Sequence, residues 1–467
     1  MKLTLIVSLL GVALSLSSAN AHWPQFRGPN SSGLAEKEKP PIEFNAGTNL
    51  LWKVEVPPGL SSPCVWGDRI FLTAFEHGKL FALGFDRRDG KEVWRQEAPP
   101  GKIPDVHPTS SPAVATPVTD GNRVYVFFSS FGLVAYDFKG KEQWRKALPV
   151  NFVMNGSGTS PAIASDTIVL NCDQDEGESF VLAVDAKTGT TRWKTPRENA
   201  AGSFTTPIVW KRGRQQDVIV AGSLRVAGYD MRDGKERWTA NVMTSVAVTP
   251  TPVIGDGQLY VMSRGVPPNA MGAFASFVEK NDKNSDGKIG PGEAPGFDGG
   301  AFRGIDRDKD GFITDKDWTG MTNLFGRGDS GLFALRAPDT GDTTSTHVAW
   351  KATKGISGYS SPLFYDGRVY VVQDGGRVSC WNAKTGKSLY EQERLGAEGE
   401  YYASPIAANG HIYLASTRGM VTVAQAGDSM NVKAKNNLGE SIMATPAIAD
   451  DKFYVRSEKH LWVFGKR

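Results

Sequence analysis

One dipeptide recurs eight times along the chain, and its spacing constrains the fold more than any other feature. The pairs are Ser62-Pro63, Thr116-Pro117, Ser160-Pro161, Thr206-Pro207, Thr251-Pro252, Ser361-Pro362, Ser404-Pro405 and Thr445-Pro446. Successive prolines stand 41 to 54 residues apart, except for 110 between Pro252 and Pro362. A period of this size suits four short strands and three turns per unit, the arithmetic of a propeller blade. The long interval implies an insertion of roughly sixty to seventy residues in the fifth unit.

Each unit follows the same grammar. An apolar strand after the proline leads through a Gly, Asp or Asn turn to a β-rich strand, such as Arg123-Val124-Tyr125-Val126 or Arg368-Val369-Tyr370-Val371. A third strand ends at an acidic or amide residue, and a glycine turn leads to an aromatic residue in the fourth. This pattern runs Asp86–Gly90–Trp94, Asp137–Gly140–Trp144, Asp185–Gly189–Trp193, Asp230–Gly234–Trp238 and Asn382–Gly386–Tyr390. Asp or Asn caps such a turn through its own side chain, and glycine takes the positive φ it needs. After Pro446 only three strands follow, around Ile448, Phe453-Tyr454-Val455 and Leu461–Phe464, while Leu50–Val56 stands alone before the first Ser-Pro. Lending that strand to the last unit closes the ring and removes an exposed sheet edge. The expected fold is all-β: an eight-bladed β-propeller of four-stranded antiparallel blades over 49–467, closed by the N-terminal strand and preceded by an extension at 22–48.

The first 21 residues read as a secretory signal peptide: Lys2, an apolar run from Leu3 to Leu16, and small residues around Ala19 and Ala21, with cleavage before His22. The apolar run is short for a transmembrane helix, and no later segment is long enough to span a bilayer. A secreted or periplasmic protein is the expectation. Lys and Arg number 53 against 50 Asp and Glu, with no basic stripe, which argues against a nucleic-acid partner. Cys64, Cys172 and Cys380 are too few and scattered for a disulfide framework, leaving buried thiols or one long-range bridge.

The insertion, placed at 266–329 between the second and third strands of blade five, carries the strongest local motif. Residues 282–293 fit a twelve-residue EF-hand loop, with Asp282, Asn284, Asp286 and Glu293 as side-chain ligands and the Lys288 carbonyl at the seventh position. Residues 306–317 repeat it with Asp306, Asp308, Asp310, the Phe312 carbonyl and Asp317, whose side chain is one methylene shorter than the usual Glu. Gly287 and Gly311 make the sharp turns, and Ile289 and Ile313 can pair as a two-strand link. Ca²⁺ is the expected ion. Flanking segments 269–279 and 314–325 can each form a helix, giving a small α-helical insertion. It should rise on the face where the Ser/Thr-Pro pairs lie, as a lid over the channel mouth or as a decoration clear of it.

Each Ser/Thr-Pro opens an innermost strand, so Ser62, Thr116, Ser160, Thr206, Thr251, Ser361, Ser404 and Thr445 should ring one mouth of the central channel. Phe204, Tyr359 and Tyr402 stand three residues before their prolines. There they can stack on a sugar ring or a quinone, or simply fill the rim. Trp94, Trp144, Trp193, Trp238 and Trp350 fall at the repeat position and are expected to pack between blades. The sequence holds no H-E-x-x-H, G-x-S-x-G or P-loop pattern, and its six histidines have no metal-ligand spacing.

The run Ala-Val-Asp-Ala-Lys-Thr-Gly-Thr-Thr-Arg-Trp at 183–193 and its relatives resemble the PQQ-like repeats of quinoprotein dehydrogenases and of the outer-membrane assembly lipoprotein. The opening His22-Trp23-Pro24-Gln25-Phe26-Arg27-Gly28-Pro29 resembles secreted propellers of planctomycete-type bacteria. The resemblance implies the propeller fold and two functions. One is a non-catalytic binding or scaffold module for an envelope protein or glycan. The alternative is a PQQ- or other cofactor-dependent alcohol or sugar oxidoreductase. Alcohol-oxidising members typically show a vicinal Cys-Cys pair, or a haem motif, or a longer chain with acidic calcium ligands beside the cofactor; this sequence has no adjacent cysteines and no C-x-x-C-H motif, and that favours the first.

Overall fold

A computed structural model describes residues 22–466, apart from 154, 199, 246, 268, 297–299 and 307. The signal-peptide segment at 1–21 lies outside the described residues. Eight antiparallel sheets follow one another in chain order. Blade 1, for example, holds Cys64–Trp66, Arg69–Glu76, Lys79–Asp86 and Glu92–Glu97, each paired with the next. Blade 8 takes its fourth strand from the N-terminus, as expected: Leu50–Glu55 runs antiparallel to His460–Phe464, with Val54 opposite Leu461.

The repeat grammar has a direct physical basis. The first hairpin turns at Asp256-Gly257, Asp366-Gly367 and Asn409-Gly410 hold both central residues at positive φ, the twist that tight hairpins require. In the second kind of turn, the Oδ1 atoms of Asp86, Asp137, Asp185, Asp230 and Asn382 accept backbone N–H groups two or three residues on, at 2.8–3.0 Å. The glycine of that turn meets a second demand invisible in one unit alone. A side chain at Gly140, Gly189, Gly234 or Gly386 would collide with Trp94, Trp144, Trp193 or Trp350 of the preceding blade. Those four indoles lie across the turn, and each donates its N–H to a backbone carbonyl there at 2.8–3.1 Å. Trp52 on the N-terminal strand repeats the arrangement against Gly90 and the Arg87 carbonyl of blade 1. That strand therefore docks blade 8 onto blade 1 as the fourth strands carrying Trp94, Trp144, Trp193 and Trp350 dock their blades.

Trp238 departs from the pattern. The third-to-fourth-strand connection of blade 5 is long, and Gly341–Asp342 within it adds a short parallel fifth strand to blade 4 beside Trp238. Trp238 is fully buried and turns its N–H to Asp217. Cys64, Cys172 and Cys380 are buried free thiols, and burial raises the pKa of each.

Charged groups finish the ring closure. Lys53 of the N-terminal strand, His460 and Ser457 all converge on Glu440, at 3.3, 2.7 and 2.7 Å. Burial alone would raise the Glu440 pKa. The hydrogen bonds from Ser457 and His460 and the neighbouring cations outweigh it and hold the pKa at about 2. A depressed carboxylate stabilises the fold above its unfolded pKa and loses that contribution as pH falls through the folded value. Stability is therefore expected to decline from about pH 5 down to about pH 2, and Glu440→Gln should flatten that acid limb. An acid melting profile identical in the variant would rule this carboxylate out as the source.

Candidate functional site

The central channel does not run open. Residues 22–35 lie within it and bond to one innermost strand after another. Trp23 bridges Val65 of blade 1, and the Pro24 carbonyl accepts the Thr119 N–H of blade 2. Gln25 Oε1 accepts the Ile163 N–H of blade 3, and Asn30 exchanges two hydrogen bonds with Val209 of blade 4 at 2.8 and 2.9 Å. Arg27 donates to the Pro362 carbonyl of blade 6, and Gly33 and Ala35 pair with Ala407 of blade 7. The inner strand of a blade is a sheet edge facing the channel, and this segment pairs backbone groups that the edge would otherwise leave open. Trp23 and Arg27 are fully buried. Burial without a carboxylate partner pulls the Arg27 pKa down to about 9. The sequence marks 22–48 only as an extension. Its opening motif is the sole signal that it has a structural task.

The Ser/Thr-Pro residues do come together as a ring, and they are buried. From blade 1 to blade 8, each backbone N–H donates to the hydroxyl of the next blade's Ser or Thr: Ser62 to Thr116, Thr116 to Ser160, Ser160 to Thr206, and onward through Thr251, Ser361 and Ser404 to Thr445, at 2.9–3.3 Å. The hydroxyls that seem poised for a ligand in the sequence are links between blades. What faces outward is the layer above them. Phe204 is half-buried, and its ring covers Gly158. Tyr359 is 47% exposed and meets Tyr402 edge-on, with ring centroids 5.1 Å apart. Two cavities open on this face. One, of about 590 Å³, lies between blades 6 and 7 and is lined by Asp374, Arg394, Glu398, Glu400 and Arg418. The other, of about 670 Å³, lies beside Leu60, His107, Met443 and Arg456. Arg456 staples blade 8 to blade 1 by donating to the Pro57, Ser61 and Thr73 carbonyls.

The insertion leaves blade 5 after Gln258–Ser263 and returns at Gly331–Arg336, which pair with each other. Its described residues form three helices, α1 (Phe274–Asn281), α2 (Gly300–Ile305) and α3 (Asp315–Phe325). They share a core of their own, with Ile289, Phe302, Ile305, Ile313 and Trp318 buried together. The two loops share their turn geometry at the described residues. Positions four and six have positive φ in each, at Ser285 and Gly287 and at Lys309 and Gly311. Ile289 and Ile313 form the two-way backbone bridge, at 3.0 and 2.8 Å. Asp282 accepts the Ser285 and Gly287 N–H groups, and Asp306 those of Asp310 and Gly311. Asn284, Asp286 and Asp310 each accept the N–H two residues on, while Glu293 accepts that of Gly290 at 2.6 Å. Lys288 and Phe312 stand at the seventh positions, with the Lys288 ammonium over the Phe312 ring.

Asp306, Asp308 and Asp317 each place a carboxylate oxygen within 4.8 Å of the other two, the one such acidic trio among the described residues. Asp306 and Asp317 are buried. Carboxylates gathered this closely and partly out of water repel one another unless a cation or proton sits between them. The trio is therefore able to bind a metal. Lys316 supplies part of the balance, 3.1 Å from Asp308, from an exposed position where a bound cation can displace it. Asp317 also serves α3: it forms a capping box with Thr314, which fixes the carboxylate at the loop's last position.

The module lies against the Ser/Thr-Pro face. Ser245, in the connector leading into blade 5, donates to the Leu324 carbonyl, and Thr244 bridges Gly328. Arg303 of α2 lies over Phe152, in the connector leading into blade 3, 5.8 Å from its ring centre.

Blade count, strand order, inter-blade indoles and N-terminal closure together define a PQQ-like β-propeller repeat protein. The family model of outer membrane protein assembly factor BamB matches residues 42–153, 83–276 and 330–459, and the chain belongs to that family. The match stops at residue 276, inside the insertion, and resumes at 330, where the insertion ends. BamB from Moraxella catarrhalis superposes with a TM-score of 0.53 at 14% identity, covering 89% of this chain and 98% of that one. Quinohemoprotein alcohol dehydrogenase from Comamonas testosteroni gives 0.59 at 10% identity, covering 96% and 81%. A computationally designed protein, Ika8, gives 0.56 at 10% identity, covering 90% and 100%. At these identities the likeness is one of fold. No curated protein sequence matches the chain.

Proposed function

We propose that this protein is exported and acts as a non-catalytic binding platform at the cell envelope, presenting its Ser/Thr-Pro face to a protein or glycan. The observation that carries this reading is the filled channel. Residues 22–35 occupy the axis, so the protein's recognition surface is its open rim, around which the exposed Tyr359, two cavities and the inserted module are arranged. In the same reading the module binds Ca²⁺ through Asp282, Asn284, Asp286 and Glu293 in one loop and Asp306, Asp308, Asp310 and Asp317 in the other. The ion holds its helices in place rather than sensing calcium, since an exported protein meets calcium at steady, high concentration.

A quinone-dependent oxidoreductase fits these residues poorly. The axis carries the chain's own segment, and the one cation of that segment, Arg27, is sealed against the Pro362 carbonyl and Gly33. Binding of envelope material to the immobilised chain tests the platform. Outer-membrane vesicles and cell-wall sacculi are expected to be retained, with hydrogen-exchange protection appearing in the connectors that precede the Ser/Thr-Pro pairs. No retention, or protection confined to the opposite-face turns around Asp256, Asp366 and Asn409, would sink the proposal.

A further inference from the structure

Tyr359 is the one Phe, Tyr or Trp side chain left exposed among the described residues. Tyr402 packs edge-on against it, and burial, with Glu400 close by, pushes the Tyr402 hydroxyl up to about 12. Glu400 in turn lines the 590 Å³ cavity between blades 6 and 7. An open aromatic face therefore adjoins a polar cleft. Within that cleft Arg394, Glu398 and Arg418 have no ion-pair partner among the described residues, while Asp374 accepts the Tyr401 N–H at 3.0 Å.

We infer that Tyr359 and this cleft form a subsite for a neutral polysaccharide, an inference that rests on the platform reading and names its ligand class. An aromatic ring takes the apolar C–H face of a pyranose with equatorial hydroxyls. Planar carboxylates and guanidiniums take pairs of neighbouring hydroxyls, accepting at one and donating at the other. Two arginines and three carboxylates interleave in the cleft, so their fields nearly cancel. That balance suits an uncharged ligand and disfavours a polyanion, which would have to approach three carboxylates. A protein partner usually needs a buried apolar anchor pocket at the centre of its footprint, and the lining of this cleft is charged and polar instead.

Cellohexaose, xylohexaose and chitohexaose titrated into the full mature chain, followed by calorimetry and by NMR shifts, test the inference. At least one should bind. Tyr359→Ala should weaken it tenfold or more, Tyr359→Phe should retain it, and Glu398→Gln should weaken it severalfold with unchanged melting. Binding indifferent to Tyr359→Ala overturns the subsite. So does silence towards all three sugars while envelope material still protects this face; in that case the platform stands and its ligand is of another class. Retention abolished by protease treatment of the envelope fraction likewise assigns the face to a protein. Loss of both sugar binding and envelope retention removes both readings.

Discussion

Deleting residues 22–56 is expected to abolish a cooperative melting transition near that of the intact chain and to leave an aggregating product. Two things are lost at once. The first is the fourth strand of blade 8, so His460–Phe464 becomes an open edge able to pair with other chains. The second is the channel segment, which bonds to the inner strands of blades 1, 2, 3, 4, 6 and 7. Smaller changes separate the contributions. Trp23→Ala removes a fully buried indole and should lose about 3–5 kcal/mol while leaving ring closure intact. Deleting only 22–35 should open the channel and lower the melting temperature without exposing the blade 8 edge. Thermal and chemical denaturation with light scattering check all three. A 22–56 deletion that melts like the parent would refute both closure and plug.

The second large effect concerns calcium. Glu293→Ala combined with Asp306→Ala should eliminate measurable Ca²⁺ uptake by calorimetry, because one loop loses its bidentate ligand and the other the carboxylate at its first position. The β-rich circular dichroism and the propeller's melting should change little, since the module's core around Trp318 is separate from the blade cores. Chelation of the intact protein should speed hydrogen exchange within 274–325 and leave the blade strands protected. Global unfolding of the double variant would overturn this modular view. The second loop is expected to bind more weakly, as Asp317 is shorter than Glu and one of its oxygens already accepts the Thr314 N–H and hydroxyl.

The two effects differ in kind because the two elements are joined to the propeller differently. The N-terminal segment is bound through strand edges spread around the ring, so its loss is felt by most blades. The module is bound mainly through Thr244, Ser245 and Met243 in one connector and by Arg303 over Phe152 in another. Losing order there affects local contacts on the rim.

The sequence determined the architecture because each blade is specified locally. The Ser/Thr-Pro spacing, the Asp-to-Gly turns and the alternation of strands need no distant partner to be read, and even the displaced fourth strand announces itself by arithmetic. The two twelve-residue loops also announce themselves by spacing alone; the structure adds that Asp306, Asp308 and Asp317 gather closely enough to hold a metal. Tertiary structure decided what depends on neighbours. The eight Ser/Thr hydroxyls look available along the chain, yet seven of them, from Thr116 round to Thr445, accept the preceding blade's backbone N–H and become buried links. Trp238 carries the same repeat signature as Trp193, but an added strand from blade 5 redirects it. Residues 22–35 have no strand periodicity to betray them, because their partners are unpaired edges contributed by six separate blades. Tyr359 and Phe204 occupy equivalent sequence positions, and only packing sets one ring over Gly158 and leaves the other open to solvent.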